Sequence, residues 1–383
     1  IYSQYSGQIR DLVHLAKTEG FGFFGDVQIG DAHAWYKMAE HYDINGLDDT
    51  TQMDEIVEAA QIIYRESLAK TDVVDFDDMI LFPLVKNLRV RFQRDVIFVD
   101  EAQDTSRARR ALIKKFVKPQ GRIIVVGDDR QAIMGFAGAS ADALTEFVDE
   151  LHANVLPLNV TWRCPKAVVR EAQRLVPDIM AADEAIEGEV LRLEALPEEF
   201  QPTDAILCRN TAPLINTAYS LIRRGVACKV EGRDIGTGLL RLVDRWVRIS
   251  TVTAFLVKLE DYREREIQKA QAKGHDAKVQ EINDRCDTLV TICQAVQAKG
   301  LHSLDDVRAA INGMFADDVT AQGILTLCTY HRSKGREWPR VMLIEHAARC
   351  PSPYAIQEWQ LQQERNLAYV AITRAQQTLA YVG

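Results

Sequence analysis

The stretch that most constrains this chain is Asp95-Val-Ile-Phe-Val-Asp-Glu-Ala-Gln-Asp104. Four apolar residues, Val96 to Val99, run without interruption into two adjacent carboxylates, Asp100 and Glu101. A short continuous apolar run predicts a strand buried on both faces, as in a parallel sheet covered by helices. Ligands of such sheets sit beyond the carboxyl ends of the strands, which is where Asp100 and Glu101 fall. Two carboxylates at a dry strand end are costly unless a cation or an activated water uses them. A divalent metal with a phosphate-bearing substrate meets that need. The plainer reading is that Asp-Glu caps the next helix and adds acid to its first turn.

The same design recurs. Ile123-Ile-Val-Val126 ends in Gly127-Asp-Asp-Arg-Gln131, and Ala205-Ile-Leu-Cys-Arg-Asn210 is a third apolar strand with a polar end. A strand within Pro157 to Pro165 ends in Arg163. Helix Leu214 to Arg224 and strand Ala227 to Val230 add a strand–helix–strand unit. Strands resume at Ile324 to Cys328 and Val341 to Ile344, followed by a helix from Leu361 to about Ala375 and a last strand, Thr378 to Val382. Residues 1 to about 72 read as helical, with Met53, Ile56, Val57, Ala60 and Ile63 at helical spacing. Asp75-Phe-Asp-Asp78 caps a further helix, and a basic helix runs through Arg107, Arg109, Arg110, Lys114 and Lys115. From about Gly236 to Asp318 the strand signal disappears. There Val279, Ile282, Cys286, Leu289, Val290, Cys293 and Val296 repeat every three or four residues, the pattern of a helical insertion. The fold class is therefore α/β with helical insertions, in two blocks: about 73–155, and about 156–235 with 319–383. Gly20-Phe-Gly-Phe-Phe-Gly25 matches GxGxxG in letters only. A dinucleotide fingerprint leaves a strand and enters a helix, whereas this one leaves a helix-like segment.

Bulk properties narrow the partners. With 383 residues and a net charge of -9, the chain does not bind polyanions through overall basicity, so any such site is built locally from placed Arg, Lys and backbone amides. Its seven cysteines are scattered singly without a CxxC pair, which predicts neither a zinc site nor a disulfide framework and suits a reducing compartment. No signal peptide and no bilayer-length apolar stretch is present. The chain opens on Ile1 rather than Met, so residues ahead of it are expected.

Five motifs stand in order: Asp100-Glu-Ala-Gln-Asp104; Gly127-Asp-Asp-Arg-Gln-Ala-Ile-Met-Gly-Phe-Ala-Gly138; Thr161-Trp-Arg163; Thr329-Tyr-His-Arg-Ser-Lys-Gly-Arg-Glu-Trp338; and Glu364-Arg-Asn-Leu-Ala-Tyr-Val-Ala-Ile-Thr-Arg-Ala375. In this order the chain resembles the superfamily 1 DNA helicases of the UvrD/Rep type. The likeness covers residues 73–235 and 319–383 well, and the N-terminal helices and the insertion by position only. It implies two RecA-like parallel-sheet motor domains, the first incomplete. Residues 73–155 would be the C-terminal part of the first, with 1–72 a helical subdomain inserted in it. Residues 156–235 and 319–383 would form the second, with 236–318 a short helical insertion.

The resemblance also implies ATP and Mg²⁺ as cofactors. Asp100 would hold the metal and Glu101 would orient and deprotonate the attacking water. Gln131 would contact the γ-phosphate and that water, while Arg163 and Arg374 would be supplied from the second domain. Glu337, with Gly335 two residues before it, matches the motif near the ribose. Phosphoryl transfer of this kind rests on positioning and charge compensation. For the nucleic acid, Phe136 matches the aromatic on which a base stacks, a contact of about 1–3 kcal/mol per base. Arg209 and His331 match polar positions that touch the strand. The implied activity is an ATP-driven 3′→5′ translocase and helicase acting on single-stranded DNA and single-strand/duplex junctions. Its implied partners are repair or replication proteins, in a cytoplasmic, bacterial or phage-type setting. The sequence departs from the family at Met134, commonly tyrosine, and at Ala137, often arginine. No G-x-x-x-x-G-K-[ST] occurs in it, so the phosphate cradle is expected ahead of Ile1. Two other readings stand beside this one: a non-catalytic nucleic-acid-binding or regulatory module, and a RecA-like NTPase acting on something other than nucleic acid.

Overall fold

Helices lead the chain, and their apolar spacing decides what they bury. In the computed structural model they are α1 (Ser6–Glu19), α2 (Ala32–His41), α3 (Thr50–Ala69) and α4 (Phe76–Val85). The structure describes residues 5–42, 44, 50–135, 138, 142–224, 226, 228–231, 233–246, 249–271, 276–314 and 324–383. Contacts divide the chain into two units: Ile1–Leu156 with Ala270–His275, and Pro157–Lys269 with Asp276–Gly383. In the first unit, Met53, Ile56, Val57 and Ala60 of α3 enter one core with Ile9, Leu12 and Ala16 of α1 and Trp35 of α2. Ile63, expected on that face, is exposed, and Tyr64 is buried in its place. The Tyr64 ring meets Trp35 edge-on, and its hydroxyl donates to the Phe21 carbonyl at 2.8 Å. Asp75 and Asp78 form a capping box at the start of α4. Both also accept Lys17 Nζ from α1, at 2.8 and 2.7 Å, which keeps that buried ammonium paired. The Gly20 segment is the left-handed C-cap of α1, followed by the buried Phe21.

The rest of the first unit comprises β1 (Arg94–Val99), α5 (Arg107–Phe116), β2 (Val117–Val125) and α6 (Ala143–Leu151). β1 and β2 pair in parallel, with Ile97 opposite Ile123 and Val99 opposite Val125. Those four residues pack with Ile113, Leu144 and Phe147 from the two helices. The opposite face is open: Val96 is 45%, Phe98 73% and Ile124 41% exposed. The expectation of a strand buried on both faces is thereby corrected. A strand alternates its side chains between two faces. Among the described residues this sheet has two strands, and its inward face is the one that packs on α5 and α6.

The second unit carries β3 (Val160–Thr161), α7 (Lys166–Ala172), β4 (Met180–Ala181), β5 (Glu189–Leu193), β6 (Asp204–Cys208), α8 (Thr211–Arg223) and β7 (Cys228–Val230). Four helices follow: α9 (Arg233–Val243), α10 (Val252–Gln271), α11 (Asp276–Ala298) and α12 (Leu304–Met314). The chain then returns through β8 (Leu325–Thr329), α13 (Tyr330–Ser333), β9 (Trp338–Ile344), α14 (His346–Arg349), α15 (Glu358–Ile372) and β10 (Ala375–Val382). Six strands make one parallel sheet in the order β5-β10-β9-β6-β8-β7. β6 is buried along its whole length, as its uninterrupted apolar run requires. The insertion rests on the sheet layer through α11 against α8. Val279, Ile282, Cys286, Leu289, Cys293 and Val296 of α11 are all buried. The sequence reading missed β5, because Glu189-Val-Leu-Arg-Leu193 alternates as an edge strand does instead of running apolar. The fold is thus α/β, with two RecA-like parallel-sheet cores and helical insertions. Among the described residues, no helix is long and apolar enough to cross a membrane.

Candidate functional site

In the first unit the candidate side chains gather where β1 and β2 end. The Val126 N–H donates to the Val99 carbonyl at 2.8 Å, and the Ala102 N–H to the Val126 carbonyl at 3.0 Å. The two exit segments therefore stay tied beyond the strands. Asp100 is exposed; its Oδ1 accepts the Glu101 N–H at 2.9 Å, and its Oδ2 has no partner among the described residues. Glu101 turns the chain in the left-handed region, at φ 49°, ψ 41°. For a residue with a Cβ that geometry costs about 1–2 kcal/mol. Such strain persists where the surroundings over-determine it, as they do between these paired segments.

Glu101 Oε2 accepts Gln103 Nε2 at 2.6 Å, and Gln103 Oε1 accepts the Asp128 N–H at 3.0 Å. Asp128 Oδ2 accepts Gln131 Nε2 at 2.8 Å, and its Oδ1 accepts the Arg130 N–H at 2.9 Å. Asp100, Glu101 and Gln131, thirty residues apart in sequence, thus belong to one hydrogen-bonded cluster. Gln103 and Asp128 complete it, and sequence reading gave neither a role. The available signal was the polarity of both strand ends; what it lacked was the register that brings them side by side. Burial, with Asp128 beside it, pushes the Asp129 carboxyl above its usual range.

In the second unit, three of the expected nucleotide residues meet. Arg163, just past β3, donates through Nε to Glu337, whose other oxygen accepts Gln376 Nε2 at 2.8 Å. Arg374 is 1% exposed and donates to the carbonyls of Val370 (2.8 Å) and Arg336 (3.0 Å) and to Thr373 Oγ1 (3.2 Å). Burial, and then the charge of Arg163, push Arg374 down to about 10. Glu337 precedes β9 and Arg374 precedes β10, joined by the Trp338 N–H to the Arg374 carbonyl at 2.9 Å. Glu337 and Arg374 therefore lie at the amino ends of β9 and β10, whereas Arg163 follows β3. Gly335 is exposed at φ 78°, with open space where a Cβ would point. Trp162, which sequence reading left without a role, is 79% exposed beside Arg163.

Arg209 and His331 follow β6 and β8, at the carboxyl ends of the same sheet. Arg209 is not held out toward solvent. It forms a forked pair with Glu364 of α15, at 2.8 to 3.1 Å, and Glu364 also accepts the Ser352 N–H at 2.9 Å. Burial, and then the Arg209 charge, push His331 down to about 3, so it is neutral near pH 7. Phe136 and Ala137 lie outside the described residues, so the base-stacking expectation has no geometry here.

Among the described residues, no cluster of three or more His, Cys, Asp or Glu forms a metal cage. A magnesium ion that travels with a nucleotide needs only one or two carboxylates, with water and phosphate completing its shell. The exposed Oδ2 of Asp100 fits that role.

The two parallel-sheet α/β cores are of the RecA-like class, with acidic and amide groups at one strand end and arginines at another. Residues 32–152 match the UvrD/REP helicase N-terminal domain, and residues 241–382 match the UvrD-like helicase C-terminal domain. The chain belongs to the UvrD/Rep-like helicase family. It is 33% identical over 131 residues to the ATP-dependent DNA helicase PcrA of Bacillus subtilis, covering 32% of this chain and 18% of that protein. It is 32% identical over 122 residues to the ATP-dependent DNA helicase Rep of Escherichia coli, covering 30% of this chain and 18% of that one. DNA helicase II of Haemophilus influenzae is 30% identical over 123 residues, covering 30% of this chain and 17% of that protein. The matches span less than a fifth of the length of these relatives.

Proposed function

We propose that this chain is part of an ATP-dependent single-stranded DNA translocase and helicase, with 3′→5′ polarity carried over from its family. The observation that supports this best is the strand-end cluster of Asp100, Glu101 and Gln131. It combines an exposed carboxylate suited to magnesium, a carboxylate held in a strained turn, and an amide tied to the second strand end. In this reading Asp100 holds Mg²⁺, which when bound neutralises phosphate charge. Glu101 orients a water and takes its proton, and Gln131 positions that water. Arg163 and Arg374 carry the positive charge that the resemblance assigns to the nucleotide phosphates, and Glu337 with Gly335 serves the ribose side. Trp162, an exposed indole beside Arg163, offers a flat surface suited to a nucleobase. Phe136, Arg209 and His331 serve the DNA strand, and the partners would be repair or replication proteins.

A second reading, a regulatory or nucleic-acid-binding module without catalysis, rests on a specific observation: no phosphate-cradle motif occurs in the 383 residues. Glu101→Gln separates the two when assayed in the intact protein. The amide still accepts and donates hydrogen bonds but cannot take a proton. The catalytic reading expects DNA-stimulated ATP hydrolysis in the parent and its near-complete loss in the variant, with ATP binding retained. Single-strand binding in a parent that hydrolyses no ATP favours the module.

A further inference from the structure

Resting on the catalytic reading, we infer that Gln103 is a positioning residue that holds the Glu101 carboxylate and ties its place to the segment 127–131. Glu101 is exposed, and the bond from Gln103 narrows the rotamers open to its carboxylate. Gln103 is 1% exposed and fixed at both ends. Its Nε2 donates to the carboxylate at 2.6 Å, a charge-assisted bond, and its Oε1 accepts the Asp128 N–H at 3.0 Å. One end must donate and the other must accept. At this reach only an uncharged amide does both: a glutamate would set two carboxylates against each other, and a methionine would serve neither end.

Gly127 belongs to the same device. A methyl group at that position would sit 2.6 Å from Gln103 Oε1. The glycine therefore makes room for the amide, a second constraint from the facing segment. Asp128, whose N–H the amide reads, holds Gln131 through its carboxylate at 2.8 Å. A shift of residues 127–131 is thus transmitted to Glu101 through one buried side chain. The backbone bonds beyond the strands tie the two motifs, and Gln103 adds the side-chain link between Glu101 and Asp128.

The test compares Gln103→Met with Gly127→Ala in the intact protein. The first removes both bonds of the amide. The second leaves Gln103 and Glu101 chemically intact and displaces the amide from the other side; the added methyl's other close neighbours are Leu144 Cδ2 at 3.0 Å and the Ala102 nitrogen at 3.2 Å. Loss of a partner that orients a metal ligand costs about 10–100-fold in activity, and a loss of that order is the expectation for a partner that orients a general base. Each variant is expected to lower kcat for DNA-stimulated ATP hydrolysis by that amount, with KM for ATP unchanged. The double variant should lose no more than the worse single one, because both break one linkage. Thermal melting reports the folded fraction, and turnover is taken per folded molecule. Parent-like turnover in either folded variant, or losses that multiply in the double variant, overturns the role of Gln103 alone. A parent without ATPase activity overturns the catalytic reading and this inference together.

Discussion

Arg374 and His331 show how a side chain's surroundings set its chemistry. Arg374 donates to two carbonyls and a hydroxyl; alanine there removes a charge and takes the side-chain donor from the Arg336 carbonyl, while the Val370 carbonyl keeps the Thr373 hydroxyl at 3.2 Å. Each buried acceptor left unpaired costs about 1–3 kcal/mol. Arg374→Ala should therefore lower the melting temperature as well as activity, whereas Arg374→Lys keeps a charge but loses the fork. If Arg374 acts on phosphate, the lysine variant should lose about 10³-fold or more in ATP turnover while binding DNA as the parent does. A lysine variant at the parent rate would remove Arg374 from the site. His331 titrates near 6.5 when unfolded and at about 3 when folded. The folded state thus binds its proton less tightly. Its contribution to stability is complete above pH 6.5 and is lost as pH falls from 6.5 toward 3. Denaturant melts at pH 7 and pH 4.5 should show a smaller acid loss in His331→Gln than in the parent; equal losses would place the acid sensitivity elsewhere.

At the scale of elements, two surfaces carry predictions. The outward face of β1 and β2 presents Val96, Phe98 and Ile124 as a contiguous apolar patch. Such patches promote self-association. Residues 1–383 alone should sediment as concentration-dependent oligomers, and Phe98→Ser should reduce them. Unchanged sedimentation in that variant would mean that association, if present, uses another surface. The second surface is the start of α8. Asp284 of α11 accepts the N–H groups of Thr211 and Ala212 at 3.1 and 2.9 Å. Asn210, at the position where a helix takes its own cap, keeps a buried Oδ1 without a partner among the described residues. The insertion thus caps a helix of the sheet layer from 73 residues away. Removing a cap costs about 0.5–2 kcal/mol, so Asp284→Ala should lower the denaturation midpoint by a matching amount. No loss would show that Asn210 takes over the cap.

For the whole molecule, the decisive prediction concerns residues 1–383 by themselves: they should not hydrolyse ATP at a meaningful rate. ATP carries its charge on the β- and γ-phosphates, which helix N-termini and rings of backbone N–H groups hold in phosphate-cradling loops. Asp100 and Glu101 repel that polyphosphate unless such a cradle offsets them. The Gly20 segment cannot serve, because it caps a helix C-terminus, where the dipole is negative. The check is ATP turnover of this polypeptide with and without single-stranded DNA. DNA-stimulated turnover abolished by Glu101→Gln would mean that a cradle exists here in another form.

What the sequence determined by itself is local. Continuous apolar runs gave β1, β2, β6, β8 and β9, because strand preference is written residue by residue, even where, as in β1 and β2, only one face is buried. Polar groups at the ends of those runs marked Asp100, Glu101, Gln131 and Arg209, and the strand before Pro165 marked Arg163. Helical spacing marked α3 and α11. What only the tertiary structure decided is which of these ends meet. Parallel pairing of β1 with β2 joins Glu101 to Gln131 through Gln103 and Asp128. The order of the six-stranded sheet sends Glu337 and Arg374 to its amino ends and Arg209 and His331 to its carboxyl ends. The exposed face of β1 and the burial of Arg374 were equally out of reach. A residue's own chemistry fixes its preference for water or for a strand, but its partners are set by strand register and helix packing, which depend on residues far along the chain.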